Sequence, residues 1–303
     1  MTEPILEARG LSKIIGRKTI VDSVSFEVSP GEVFGFLGPN GAGKTTTIRM
    51  LVGLIRPTAG EVRICGRNVQ DDPEKALRCT GCIVETPDLY RFMTGRENLE
   101  HFARMLGPVD PEELQRLGEI TLLAHRLDEK VRTYSLGMRQ RLGIAVALLG
   151  SPRLLILDEP ANGLDPVGIR EMRRLILRLA QNEGVGIFVS SHILSEVEQM
   201  CDRVAIIHHG RIIRTGAVSD LIGQHRMMEF RVSDSVAALR TIADLGFEPV
   251  GDDGRVTLAI EPGDAPPIIA ALTGKNIDVY EARAVLPTLE DLFLEVTAGE
   301  SVD

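Results

Sequence analysis

The chain has 303 residues and a formal net charge of −9, with 44% hydrophobic and 25% charged residues. That length suits one large domain, or one large and one small. The acidic balance argues against broad nucleic-acid binding, which needs cationic surface to neutralise phosphates. Four cysteines are too few for a disulfide framework in a chain this long, so a cytoplasmic setting is expected.

The N-terminal residues lack the apolar core of a signal peptide, and Ile144–Leu149 is far shorter than the ~20 residues of a spanning helix. No segment is expected to cross a bilayer, so a transport role requires another chain. Ile5–Leu11 and Val24–Val28 read as strands, and Val33–Leu37 as a buried central strand. A glycine-rich turn follows, with helical character over Thr45–Leu54. Glu61–Ile64 and Cys82–Glu85 are further strands, and Glu97 to about Leu149 is mainly helical, punctuated by Pro108 and Pro111. Cys79 and Cys82 form a lone C-x-x-C pair, which reads as small residues at a strand start rather than a redox or metal site. Leu154–Leu157, Val185–Val189 and Arg203–His208 are strands, with a helix over Pro166–Glu183. This alternation predicts an α/β domain with a largely parallel sheet. After Gln224 the order becomes strand, helix, strand, helix, strand, helix, which predicts a small α+β domain over 224–303.

Gly38–Thr46 (GPNGAGKTT) fits the phosphate-loop pattern G-x-x-x-x-G-K-[ST] between a buried strand and a helix. Its candidate binding residues are Gly38, Pro39, Asn40, Gly41, Ala42, Gly43, Lys44, Thr45 and Thr46. Such a loop points successive N–H groups into one concavity that takes phosphate. Lys44 would reach the β and γ phosphates of ATP, and Thr45 would place its hydroxyl on Mg²⁺. LLILDEP (Leu154–Pro160) ends an apolar strand on Asp158 and Glu159, whose side chains face opposite ways. Two acids at a strand end are more often a solvated turn; beside a phosphate loop they read as a magnesium holder and a water-orienting base. Asp158 is assigned to the metal, Glu159 to the water.

With these motifs in order, the stretch from Leu11 to about Ile213 resembles the ATP-binding-cassette ATPases. YSLGM (Tyr134–Met138) stands where that family has its signature, ANGLDP (Ala161–Pro166) looks like its D-loop, and SSH (Ser190–His192) like its switch histidine. The resemblance implies a RecA-like P-loop core over 1–223, an antiparallel β subdomain and a helical signature subdomain at about 86–152. It implies that Ser135, Gly137 and Met138 contact ATP held by the opposite subunit. It implies too that Asp165 lies at the dimer contact and His192 senses the γ-phosphate. The partners implied are a second copy, or a similar subunit in a heterodimer, and a separate transmembrane permease on the inner face of the cell membrane.

Two positions depart from the family pattern. Ile15 stands where many members stack an aromatic on adenine, and Glu85 where the usual residue is a glutamine facing Mg²⁺. Glu85 is carried as a candidate magnesium ligand, with turning toward solvent or pairing to an arginine such as Arg91 as the alternative. The run Glu85–Gly107 and the ending Leu286–Thr297 are similar to exporter subunits of drug efflux and of bacitracin and lantibiotic immunity. In that family the segment after Glu85 docks on the permease, which makes Arg91, Phe92 and Met93 contact candidates, with packing inside the domain as the equal alternative. The reading is therefore an ATP-hydrolysing subunit that energises export through a separate permease; the alternatives are a soluble cassette ATPase of translation or DNA repair and an ATP-gated module of low turnover.

Overall fold

The computed structural model describes residues 3–223, 227–260, 262–285 and 288–298. The chain divides into two compact units that meet at Ala217 and Val218, six residues before the boundary expected from sequence. The difference is a short helix, Val218–Gly223, which groups with the second unit.

In chain order the first unit comprises β1 (Leu6–Ile15), β2 (Lys18–Val28), β3 (Val33–Leu37), α1 (Lys44–Leu51), β4 (Ala59–Ile64), β5 (Arg67–Asn68), α2 (Pro73–Leu77) and β6 (Thr80–Ile83). It continues through α3 (Gly95–Leu106), α4 (Pro111–Ile120), α5 (Leu136–Ala147), β7 (Leu154–Asp158), α6 (Pro166–Glu183), β8 (Gly186–Ser191), α7 (Leu194–Glu198), β9 (Arg203–His208) and β10 (Arg211–Ala217). An antiparallel sheet runs β2-β1-β4-β5, and a second sheet runs β10-β9-β3-β8-β7-β6. The second is parallel except for β10, which folds back on β9.

Every residue of β3, β7 and β8 is buried, because both faces of the parallel sheet are covered. Phe26 from the antiparallel sheet lies 5.4–5.5 Å, ring to ring, from Phe34, Phe36 and Phe188, so one core serves both sheets. The mainly helical stretch resolves into α3, α4 and α5, each started by local chemistry. Thr94 and Glu97 form a reciprocal capping box on α3, Asp110 and Pro111 start α4, and Ser135 caps α5. Sequence reading passed over β10. Its hairpin turns at His209 and Gly210, both at positive φ (45° and 82°), the twist that two-residue hairpins favour.

The second unit comprises α8 (Val218–Gly223), β11 (Met227–Val232), α9 (Ser235–Asp244), β12 (Val250–Asp252), β13 (Arg255–Ala259), α10 (Ala265–Gly274), β14 (Val279–Val285) and α11 (Leu289–Ala298). Its sheet runs β12-β13-β11-β14 with every pairing antiparallel. From β11 to β14 this is a split β-α-β arrangement. Met228, Phe230 and Val232 alternate toward a core shared with Ile242, Leu258, Ile268 and Leu272. The unit therefore has an apolar core of its own, and the alternation seen in the sequence is the reason.

Candidate active site

The fully buried strand β3 delivers the chain to Gly38, where a Cβ would lie 2.4 Å from the Ile207 carbonyl oxygen. Gly43 adopts φ 110°, and a Cβ there would meet the Ile20 carbonyl at 2.9 Å. Side chains are excluded at both places, so the loop closes with backbone facing its concavity. At the start of α1, Gly43 offers no side-chain cap and no acidic residue stands in the first turn. The N–H groups there are left for an anion.

Lys44 is only 6% exposed, and its ammonium donates to the carbonyls of Gly38 (2.6 Å) and Pro39 (3.4 Å). It also lies 3.2 Å from Glu159 Oε1. From β7, the buried Asp158 accepts from Thr45 Oγ1 at 3.2 Å and from Ser190 Oγ at 2.5 Å. Thr45 and Asp158 are thus adjacent hard-oxygen groups beside the phosphate loop. That fits Mg²⁺, which uses one or two protein ligands together with phosphate and water.

Glu159 sits just past β7 at φ 50°, a left-handed conformation uncommon for glutamate. Its N–H donates to Ser190 Oγ at 3.1 Å, which fixes the turn. Its carboxylate bridges two groups, with Lys44 on Oε1 and the His192 ring nitrogen Nδ1 at 2.5 Å on Oε2. Strain at a site where base, cation and imidazole converge is the pattern of a reaction centre. Together they border a cavity of about 550 Å³ whose walls include Pro39, Asn40, Gly41, Thr46, Ile20 and Asn162.

The structure therefore brings Gly38–Thr46, Asp158, Glu159 and His192 together. Other candidates lie apart. Ile15 is 56% exposed at the end of β1, and the apolar wall of the cavity is Ile20 on β2. Glu85, the candidate metal ligand, does not border the cavity, and its carboxylate lies 2.6 Å from Arg49, an arginine of α1. Asp165 uses its carboxylate to accept from the Gly168 N–H at 2.7 Å, capping α6. Ser135 accepts from the Met138 N–H at the start of α5, and Gly137 lies near Leu164. The thiol beside Cys79 is that of Cys65, which burial and this neighbour push up to about 11. Arg91 and Phe92 are exposed and Met93 half-buried. Sequence reasoning missed Ile20, Asn162 and Ser190. Ser190 had a signal, since alternation on β8 places it toward the acid pair.

Residues 21–162 match the ABC transporter family. An ABC transporter ATP-binding protein of Bacillus subtilis (strain 168), YhcH, is 44% identical over 98% of this chain and 97% of its own length. The chain belongs to the ABC transporter family. As an ATP-binding protein of that family it is an ATPase, with hydrolysis powering transport. The bacitracin transport ATP-binding protein BcrA of Bacillus licheniformis is 42% identical over 98% of this chain and 99% of its own. A solved ATP-binding subunit of an ABC transporter, 36% identical, superposes with a TM-score of 0.64 over 73% of this chain and 92% of that one.

Proposed function

We propose that this chain binds Mg·ATP on Gly38–Thr46 and hydrolyses it to energise export through a separate membrane permease. The observation that carries the reading is Glu159 held between Lys44 and His192 at the mouth of the cavity. A triphosphate on the loop draws the Lys44 ammonium to its β and γ phosphates and releases one oxygen of Glu159. Glu159 then orients a water and accepts its proton as the water oxygen bonds to the γ-phosphorus and the bond to the bridging oxygen breaks. His192, hydrogen-bonded to Glu159, is placed to follow the γ-phosphate. When bound, Mg²⁺ neutralises phosphate charge, held by Thr45 and Asp158. ADP and phosphate leave as separate anions.

The remaining motif, Ser135–Met138, does not border this cavity and belongs to a second copy's ATP in our reading. The α5 N-terminus, where Ser135 caps the Met138 N–H and the other first-turn N–H groups remain, would supply donors for a γ-phosphate, so that nucleotide joins two cassettes. No described helix is long and apolar enough to cross a membrane, and in our reading the pathway belongs to another chain. The exposed Arg91 and Phe92 are the proposed contact with that chain. The likeness to a bacitracin transport protein makes a peptide antibiotic the cargo to try first.

The test is bacitracin sensitivity in host cells. Deleting the gene should lower the inhibitory concentration severalfold, restored by the natural chain and not by Lys44→Ala. Unchanged sensitivity after deletion would contradict bacitracin as the cargo.

A further inference from the structure

The sheet of the second unit has two edges of different character. At one edge β12 has three residues. At the other, β14 has seven, reading VYEARAV, and Tyr280 to Ala284 are all exposed. Edge strands are commonly blunted by shortness, proline, charge or a bulge; β14 is long and has no lysine or proline, and what it carries is the pair Glu281 and Arg283 and one irregularity at Tyr280. Arg231 and Val232 pair with Glu281 and Val279, so the one extra residue, Tyr280, lies on β14, which confines the irregularity to one end and leaves Glu281–Val285 regular.

The order of charges on β14 suits a second copy of itself. If two β14 strands pair antiparallel about Ala282, Glu281 of each faces Arg283 of the other within the regular part of the strand. Within one chain Arg283 already lies opposite Glu229, with Nη2 to Oε1 at 2.8 Å, and Glu281 opposite Arg231 at 3.6 Å. Self-pairing extends these rows, so Arg231, Glu281, Arg283 and Glu229 alternate in sign across four strands. Centring instead on Glu281 or Arg283 sets like charges face to face. Opposite charges on facing residues stabilise a sheet and like charges oppose it.

We propose that β14 is an interface between two copies of this chain, paired antiparallel about Ala282, which joins two four-stranded sheets into one. This contact needs no nucleotide. It adds to the ATP-bridged pairing of cassettes proposed above and stands without it.

Sedimentation of the full-length chain without nucleotide tests it. The natural chain should sediment as a dimer at tens of micromolar. Glu281→Arg and Arg283→Glu should each weaken self-association about tenfold or more, since each sets like charges across both symmetric pairs. An equimolar mixture of the two variants should recover the dimer. The two substituted positions then face each other with opposite charges, and so do the unchanged Arg283 of one variant and Glu281 of the other. Each variant carries the same change within its own sheet alone and mixed, so recovery reports the interface and not folding. A monomeric natural chain, dimeric single variants, or a mixture that stays monomeric would each overturn the proposal. Adding Mg·ATP in a separate run reads the cassette contact, so failure of one pairing is not mistaken for failure of the other.

Discussion

Asp158 and Glu159 are neighbours in sequence and meet different partners in space. Asp158, the last residue of β7, is 3% exposed and holds two hydroxyl donors, Thr45 and Ser190. Glu159, one residue on, turns at positive φ and meets a cation and an imidazole. The division follows from the end of the strand: Asp158 keeps its strand position, and Glu159 leaves it in a left-handed turn that points its side chain elsewhere. The wall that would meet the nucleotide base is the other residue-scale question, and we propose Ile20, which lines the cavity. Removing most of a buried isoleucine side chain costs roughly 1.5–3 kcal/mol of apolar contact at full burial, and less at a half-open wall. Ile20→Ala should therefore raise the Kd for ATP several-fold by calorimetry, while Ile15→Ala should change it less than twofold. Equal effects of the two would move the base toward β1. Glu85 belongs to this scale as well. Exposed ion pairs such as Arg49–Glu85 contribute at most ~1 kcal/mol. Glu85→Gln should leave the magnesium concentration for half-maximal hydrolysis within about twofold. A larger rise would restore Glu85 to the metal.

At the scale of elements, the segment Tyr134–Met138 is held from two sides. Ser135 caps α5 through the Met138 N–H, and the buried Tyr134 hydroxyl donates to the Arg126 carbonyl at 2.5 Å. Burial above all, then the nearby Glu129, pushes the Tyr134 phenol up to about 12 from an ordinary 10.0. In the unfolded chain the phenol ionises first, so folded and unfolded states bind different numbers of protons between these values. The stability contributed by the neutral phenol is whole below pH 10.0 and is lost as pH rises through about 12. Tyr134→Phe should cost about 1 kcal/mol at neutral pH and should flatten this part of the alkaline loss in urea titrations. An unchanged alkaline slope would place the titration elsewhere.

Elements were legible in the sequence where one physical rule dominated. The apolar runs of β3, β7 and β9 and the capped, periodic α6 stand close to where sequence placed them. Elements set by tertiary pairing were not legible: β10 and β12 carry weak patterns and exist because a neighbouring strand accepts them. The site divides the same way. The phosphate loop and acid pair depend on local spacing, whereas Ile20 reaches the cavity from a different sheet and has no local signature. Glu85 shows the limit from the other side, since its expected role came from its position in a pattern and Arg49 stands 36 residues away.

On the scale of the whole molecule, all the nucleotide motifs lie in the first unit, and the second has its own core around Phe230, Ile242 and Ile268. Truncation after Ala217 should leave a folded domain with an ATP Kd within about threefold of the natural chain. Loss of binding in a folded truncated chain would mean that the second unit completes the site. The account as a whole depends on Glu159 being the group that orients the water. Glu159→Gln keeps the shape of the side chain and removes its charge. The measurement is steady-state hydrolysis at saturating Mg·ATP, with ATP affinity taken on the same preparation. The account predicts that turnover falls by about a hundredfold or more, on the order of general-base catalysis, while Kd changes less than about threefold. Turnover near that of the natural chain would contradict it.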